Sequence, residues 1–181
     1  MSTGKYKNKN MIIKVNEKDH SLGYVDKLAA HKEAILHRAF SVFILNNKGE
    51  MLLQKRADNK YHGGGLWSNT CCSHPTEDEN LKIQAEKRLM EEMGFKTKIG
   101  KIGEAKYNLK VGNLIEHEYD HLFIGTYNGE IKPNPKEVSD YKWVSLPKLE
   151  KDLEDNPGIY TPWFKFLYPR VVKNLQTFHV D

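Results

Sequence analysis

Residues 73–95, SHPTEDENLKIQAEKRLMEEMGF, contain the strongest helical pattern in the chain. Apolar residues recur in it every four positions: Leu81, Ala85, Leu89 and Met93. That spacing places them on one face of a helix, which predicts a buried stripe. Thr76 and Glu79 have the spacing of a capping box, so we expect the helix to begin near them. Gly94 follows the last apolar residue and predicts the end of the helix.

Extended segments precede this helix. The stretch RAFSVFILNNKGEMLLQKRA, which begins at Arg38, has two apolar runs around the turn signal NNKG at 46–49. Two such runs around a turn predict a β-hairpin. The stretch NKYHGGGLW follows, and its three adjacent glycines predict a loop because glycine tolerates backbone angles that other residues avoid.

The second half of the chain predicts further strands and two helices. Residues 117–127 and 141–146 have the composition of strands, and the turn-rich KPNPKEVSD separates them. LPKLEKDLED, at 146–155, predicts a helix that the following NPG ends. Residues 161–178 predict a last helix with a break or bend near Pro169. Antiparallel strands with few helices indicate a single domain of the α+β or layered α/β class.

Composition limits the partners and the location. The chain has 181 residues, enough for one domain, and a net charge of only +4 with the two signs mixed, which does not indicate nucleic-acid binding. No run reaches the length of a membrane span, and the start MSTGKYKNKN does not resemble a secretion signal. We therefore expect a cytoplasmic protein without membrane or nucleic-acid partners.

A monomer is compatible with the sequence, which leaves the oligomeric state open. Residues 1–10 are polar and predict a flexible tail before one domain at 11–181.

The two cysteines of the chain are neighbours. LWSNTCCSHP, at 66–75, places Cys71 and Cys72 just before His74. Adjacent residues rarely reach disulfide geometry without strain, and two unpaired thiols suit a reducing cytoplasm. Each cysteine is then an inert thiol, a metal ligand or a reacting group.

Five residues from three distant segments suit a divalent transition metal: His31, His37, His74, Glu116 and Glu118. Glu116 and Glu118 are two apart in an extended stretch, so their carboxylates share a face. Imidazole and carboxylate together favour Zn²⁺ or Mn²⁺. Taken singly, each residue is more commonly a solvated or satisfied polar group, and no compact metal motif joins them. Nothing in the sequence indicates that the remaining histidines bind a metal: His20, His62, His117, His121 and His179.

Residues 73–95 also resemble the Nudix motif, which reads G, five residues, E, seven residues, and then R-E-U-x-E-E-x-G-U with U apolar. Six residues fit at the right spacing: Glu79, Leu89, Glu91, Glu92, Gly94 and Phe95. Three residues depart from the motif: Ser73, Lys87 and Arg88. Arg88 stands where the hydrolases have a metal-binding glutamate. A guanidinium cannot ligate a metal, but it can bind a diphosphate oxygen. With Glu92 one turn further on, the altered motif predicts that a diphosphate is held without being cleaved.

Five segments together closely resemble type I isopentenyl-diphosphate isomerases: HRAFSVFILN, GGGLWSNTCCSHP, RLMEEMGF, EHEYDH and TPWFKF. They lie within about 31–168, and the cysteine–histidine block is the most specific of them. The resemblance implies a Nudix-type α/β/α sandwich, with a mixed sheet flanked by helices. It also implies an enzyme of isoprenoid biosynthesis that interconverts two small molecules, isopentenyl and dimethylallyl diphosphate.

The resemblance implies roles for individual residues. Cys72 matches the catalytic thiol, and Cys71 is expected to be a bystander. The five metal candidates match the ligands of one Mn²⁺ or Zn²⁺, and Glu92 matches a carboxylate for the Mg²⁺ that accompanies the diphosphate. Four basic residues match the diphosphate contacts: Lys27, Arg56, Lys60 and Arg88. Tyr107 matches a catalytic tyrosine, and Trp163 matches an aromatic residue over the hydrocarbon.

The implied reaction adds a proton at C4 of the alkene and removes one from C2, through a tertiary carbocation. We expect Glu116 with Tyr107 to act at C4 and Cys72 to act at C2. The ring face of Trp163 would stabilise the cation, with Trp67 as the weaker candidate.

Two alternatives stay open. One is a Nudix diphosphate hydrolase, against which Arg88 and the Cys72–His74 pair argue. The other is a regulatory Nudix module that binds a metal or a nucleotide, which would need no proton-transfer groups.

Overall fold

The computed structural model describes residues 10–78 and 80–175. Nine strands lie in this part of the chain: β1 Met11–Val15, β2 Ser21–Asp26, β3 His37–Leu45, β4 Glu50–Arg56, β5 Trp67–Ser68, β6 Cys71–Ser73, β7 Ile99–Val111, β8 Leu114–Thr126 and β9 Val138–Ser145. Four α-helices accompany them: α1 Lys27–Lys32, α2 Leu81–Met93, α3 Leu146–Asp155 and α4 Pro162–Leu175, with a 3₁₀ turn at Pro157–Ile159. The tail predicted at 1–10 lies outside the described residues apart from Asn10.

Strand β3 is the centre of a mixed sheet. It pairs in parallel with β8 along its whole length, from His37 opposite Glu118 to Leu45 opposite Thr126. It also pairs antiparallel with β6, and it meets β1 and β4 at its two ends. Strand β7 extends the sheet beyond β8, and β9 extends it beyond β4.

The predicted hairpin exists only at its turn. Within the described strands, β3 and β4 share one residue pair, Leu45 with Met51, and the Gly49 N–H donates to the Asn46 carbonyl in the turn. Strand β4 then leaves β3 and pairs with β9. The two strands separate because β6 occupies the edge of β3 that a hairpin partner would need.

Side chains of β3 and β4 alternate between two apolar cores. One core joins the sheet to α3 and α4: Phe43, Met51, Leu53, Leu149, Phe164 and Leu167. The other joins it to α2: Val42, Ile44, Leu52, Ala85, Leu89 and Met93. Because successive strand residues point to opposite faces, an unbroken apolar run buries both faces of the sheet. The predicted α+β sandwich, with a mixed sheet between helices, is confirmed.

Helix α2 carries the predicted apolar stripe. Ala85, Leu89 and Met93 are fully buried, and Leu81 packs against the same core. Gly94 ends the helix with a φ of 76°, a conformation that favours glycine.

The helix begins later than the capping box predicted. Its first residue is Leu81 and the preceding cap position is Asn80, so the prediction that Thr76 starts the helix is wrong. The Thr76 N–H instead donates to the side-chain oxygen of Gln84, 2.9 Å away, which holds the incoming chain beside the first turn. Glu79 lies outside the described residues.

The last two helices agree with prediction apart from one point. Helix α3 has the predicted bounds, and the 3₁₀ turn follows where NPG predicted an end. The prediction was a break or bend near Pro169; helix α4 continues through Pro169 without a break, and a bend there stays a prediction. Burial of Tyr168 and Val171 on either side of the proline stabilises the helix across the missing hydrogen bond. In the part of the chain described here, no helix has the length and apolar character needed to span a membrane.

Candidate active site

One face of β8 carries three buried carboxylates. Glu116, Glu118 and Asp120 alternate with more exposed residues, as expected for side chains that share a face of a strand. The sequence analysis used the first two and missed Asp120, although the same two-residue period continues through it.

The predicted metal candidates lie together. His31 comes from α1, His37 from the start of β3, His74 from just after β6, and Glu116 and Glu118 from β8. One ligand atom from each of the five lies within 4.8 Å of all the others. Parallel pairing of β3 with β8 places His37 directly opposite Glu118. Antiparallel pairing of β6 with β3 then carries His74 to the same end of the sheet.

Backbone contacts fix the orientation of two of these histidines. Nδ1 of His31 lies 2.6 Å from the Lys27 carbonyl, and Nδ1 of His37 lies 2.8 Å from the Ile35 carbonyl. A carbonyl only accepts, so each Nδ1 carries the proton and each Nε2 presents a lone pair when the ring is neutral. Nε2 of His37 also lies 3.2 Å from Nε2 of His74. Converging imidazole nitrogens and carboxylate oxygens, anchored from behind, fit a divalent metal ion.

Tyr107 contacts Glu118, whereas the sequence analysis paired it with Glu116. Its hydroxyl donates to Glu118 at 2.5 Å and lies 2.9 Å from Asp120. The register explains the difference, because Tyr107 on β7 stands opposite Glu118 and Leu109 stands opposite Glu116.

The pKa values of the two carboxyls beside Tyr107 are shifted in opposite directions. Burial and the nearby charge of Glu118 raise the pKa of Asp120 well above its usual range. Burial and Glu116 also act to raise the pKa of Glu118, but contacts with His37 and His74 outweigh them and lower it. The phenol has one proton to donate, and its shorter contact is with Glu118.

Glu116 has a different set of partners. Its Oε2 lies 3.1 Å from Nε2 of His31, and its Oε1 lies 2.7 Å from Nε2 of His62. Burial raises the pKa of the Glu116 carboxyl, but these two histidines outweigh burial and hold the pKa well below its usual range. His62 was not predicted as a site residue, because nothing in its local pattern distinguishes it from a loop residue.

The two cysteines have different environments. Cys71 is fully buried in the core beneath α2, whereas Cys72 is partly exposed and lines a cavity together with Glu116, Glu118 and Tyr107. Burial raises the pKa of the Cys72 thiol to about 12, and the Arg56 guanidinium, 3.8 Å from Sγ, acts in the opposite direction. Both cysteines are unpaired.

The same cavity is lined by all four predicted diphosphate contacts: Lys27, Arg56, Lys60 and Arg88. Glu92 also lines it, and its Oε2 accepts from the Gln54 side chain at 2.8 Å. Three carboxylates surround Arg88: Glu92 at 2.7 Å, Glu137 at 2.9 Å and Glu91 at 3.3 Å. Glu137 also forms an ion pair with Lys60. The sequence analysis missed Glu137, which lies in the loop before β9 and far from any motif.

Trp163 forms an aromatic wall of the cavity. It is buried in α4, the Arg56 guanidinium lies 5.2 Å from its ring, and the His62 ring lies 5.6 Å away. Gly63 approaches it so closely that a Cβ there would lie 3.0 Å from the indole, and its φ of 62° favours glycine. Trp67 instead packs beneath Lys142, 4.2 Å from its Nζ, and does not line this cavity.

The fold, the position of α2 and the acidic residues beside it define a Nudix-type domain. The NUDIX domain family matches residues 35–164. Among solved structures, DR0079 from Deinococcus radiodurans has a TM-score of 0.74 and 14% identity, covering 88% of this chain and 98% of that one. The MutT protein from Methanosarcina mazei has a TM-score of 0.63 and 24% identity, covering 78% and 96%. At these identities the likeness shows the fold alone.

Curated relatives are more informative about the family. Isopentenyl-diphosphate Delta-isomerase 2 of Photorhabdus laumondii is 47% identical over 156 residues, which is 86% of this chain and 88% of that protein. Isopentenyl-diphosphate Delta-isomerase of Burkholderia multivorans is 42% identical over 160 residues, 88% of this chain and 91% of that protein. This chain belongs to the isopentenyl-diphosphate Delta-isomerase family of Nudix proteins.

Proposed function

We propose that this protein isomerises isopentenyl diphosphate to dimethylallyl diphosphate in isoprenoid biosynthesis, by protonation and deprotonation through a tertiary carbocation. One observation carries the proposal: a single cavity is lined by a thiol, three carboxylates, a tyrosine and four cationic side chains. The names of the relatives support the same reaction. The enzyme is one isomerase domain, residues 11–181 behind a tail at 1–10, and acts in the cytoplasm on a small molecule.

The proton at C4 comes from the β8 carboxylates together with Tyr107. The contact of Tyr107 with Glu118 supports Glu118 as the group that exchanges this proton. Glu116, to which the sequence analysis gave that role, is engaged by His31 and His62 and helps to shape the site. An alkene is a very weak base, so a positioned acid in a site closed to water is required.

The proton at C2 is exchanged by Cys72. A thiol with a raised pKa is a strong base once ionised, which suits removal of a proton from carbon. The neighbouring Arg56 stabilises the thiolate. The ring face of Trp163 stabilises positive charge on the substrate, a contact worth about 0.5–2 kcal/mol.

The proposal includes two metal sites. His31, His37, His74, Glu116 and Glu118 would hold one Mn²⁺ or Zn²⁺, and Glu92 would hold the Mg²⁺ that accompanies the diphosphate. The bound cations would orient these carboxylates and neutralise phosphate charge. Lys27, Arg56, Lys60 and Arg88 bind the diphosphate and so place the alkene between Cys72 and the carboxylates.

Incubation with isopentenyl diphosphate and Mg²⁺ in D₂O tests the function. We expect dimethylallyl diphosphate that carries deuterium, because each turnover adds a proton from the exchangeable groups of the site. Mass spectrometry detects the label, and a phosphate assay is run in parallel. Release of phosphate without isomer would instead identify a diphosphate hydrolase.

Glu137 provides a prediction about the diphosphate end. The cavity measures about 50 Å³, room for only a few water molecules, and two of its lining cations, Lys60 and Arg88, both pair with Glu137. A diphosphate therefore competes with Glu137 for these cations. We expect Glu137→Gln to lower KM by about three- to fivefold with kcat unchanged, since it removes a partly exposed ion pair that competes with the substrate.

Steady-state kinetics check this prediction. Glu91→Gln is the matched control, because Glu91 contacts Arg88 from the exposed side of α2 and should leave KM unchanged. A higher KM in Glu137→Gln would show that Glu137 holds the cations ready and does not compete.

A further inference from the structure

His62 lies in the cavity, but it takes no part in the proposed proton transfers. It lies in the loop between β4 and β5, is buried, and lines the cavity. Its Nε2 lies 2.7 Å from Oε1 of Glu116, while Nε2 of His31 lies 3.1 Å from Oε2. Each oxygen of this carboxylate is therefore met by an imidazole from a different segment of the chain.

The surroundings of His62 restrict its movement. Arg56 donates from Nε and from one terminal nitrogen to the His62 carbonyl, each at 3.3 Å. The centroid of the imidazole lies 4.4 Å from that of the Tyr61 ring and 5.6 Å from that of the Trp163 ring. These ring contacts and the anchored carbonyl restrict the imidazole, whose Nε2 lies 2.7 Å from Oε1 of Glu116.

We propose that His62 is a positioning residue for Glu116. Its Nε2 engages Oε1 and leaves Oε2, the oxygen beside His31, directed toward the metal cluster. Nδ1 of His62 and Oε1 of Glu116 are both buried without a hydrogen-bond partner among the described residues, so the 2.7 Å approach of Nε2 to Oε1 is a close polar contact and not an aligned hydrogen bond. The inference rests on the proposed function for the role of Glu116, but the contact itself concerns metal binding and can be tested without turnover.

Partners that orient a metal-binding carboxylate have measurable effects. Loss of such a partner typically weakens metal affinity or activity by about 10- to 100-fold. A residue that acts only by packing would not produce this loss when its ring shape is retained. One substitution at position 62 that removes the nitrogen, and another that removes the ring, therefore distinguish a positioning role from a packing role.

Two variants distinguish the positioning role from the packing role. His62→Gln keeps an N–H group near the position of Nε2 but loses the ring, and His62→Phe keeps a ring between Tyr61 and Trp163 but has no nitrogen. We expect His62→Phe to bind Co²⁺ at least about tenfold more weakly than the unaltered protein and to change the visible absorption of the bound ion. We expect His62→Gln to keep both the affinity and the spectrum. His20→Gln, at an exposed site away from the cavity, is the matched control.

Titration of the metal-stripped protein with Co²⁺, followed by absorption, provides the measurement. The inference is overturned when His62→Phe binds like the unaltered protein, or when His62→Gln loses as much affinity as His62→Phe. If His62→Phe does not fold, His62→Asn takes its place, because its shorter amide does not reach Glu116.

Isomerase kinetics form a second arm, in which His62→Phe lowers kcat and leaves KM for isopentenyl diphosphate unchanged. The predicted Co²⁺ behaviour in a protein without isomerase activity would overturn the proposed function and leave the role of His62 standing.

Discussion

Replacement of Cys72 with alanine is expected to reduce kcat by about 10⁴-fold, near the upper end of what one general acid–base group contributes. Cys72 lines the cavity and is the candidate for proton exchange at C2. Alanine has no ionisable group, so the variant lacks the side chain proposed to exchange the C2 proton. The rate of dimethylallyl diphosphate formation is the measurement.

Cys71→Ala is the matched control for this experiment. Cys71 is fully buried in the core beneath α2 and lies outside the cavity lining. Loss of its sulfur should cost about 1 kcal/mol of unfolding free energy through a small cavity, with kcat close to that of the unaltered protein. Equal loss of kcat in both variants would contradict the assignment of the two thiols.

Replacement of Glu118 with glutamine is expected to reduce kcat by at least about 10³-fold, because the amide keeps the shape of the side chain but cannot exchange a proton. Glu118 accepts from the Tyr107 hydroxyl at 2.5 Å and lies 2.8 Å from Nε2 of His74. Tyr107→Phe should show a smaller loss of kcat, since it removes the donor and leaves the carboxylate in place.

Metal content must be measured in the same preparations, so that a loss of the metal is not mistaken for a loss of the acid. Glu104→Gln is the control, because this exposed carboxylate on β7 contacts Tyr119 and Lys101, away from the cavity. A Glu118→Gln protein that retains both metal and activity, beside an inactive Glu116→Gln protein, would return the role at C4 to Glu116.

Short sequence patterns predicted secondary structure correctly where residues of the same segment determine it. Helix α2 has its predicted stripe and its end at Gly94, because a four-residue apolar period and a residue that tolerates positive φ are properties of the segment itself. The predicted start at Thr76 was wrong because the Thr76 N–H bonds to the side chain of Gln84, eight residues further along and outside the four-residue capping-box pattern. The hairpin failed beyond its turn for a similar reason, because β6 competes for the edge of β3.

The sequence by itself determined the apolar faces, the helix α2 and the types of residue that the chemistry needs, including the thiol beside His74. Only the tertiary structure decided which of those groups meet. The Tyr107 hydroxyl contacts Glu118 and not Glu116 because of the register between β7 and β8. His62 and Glu137 join the site from loops without a distinguishing pattern. The physical reason is that periodicity records which face of a segment is buried, whereas contacts between distant segments depend on strand pairing and packing across the whole domain.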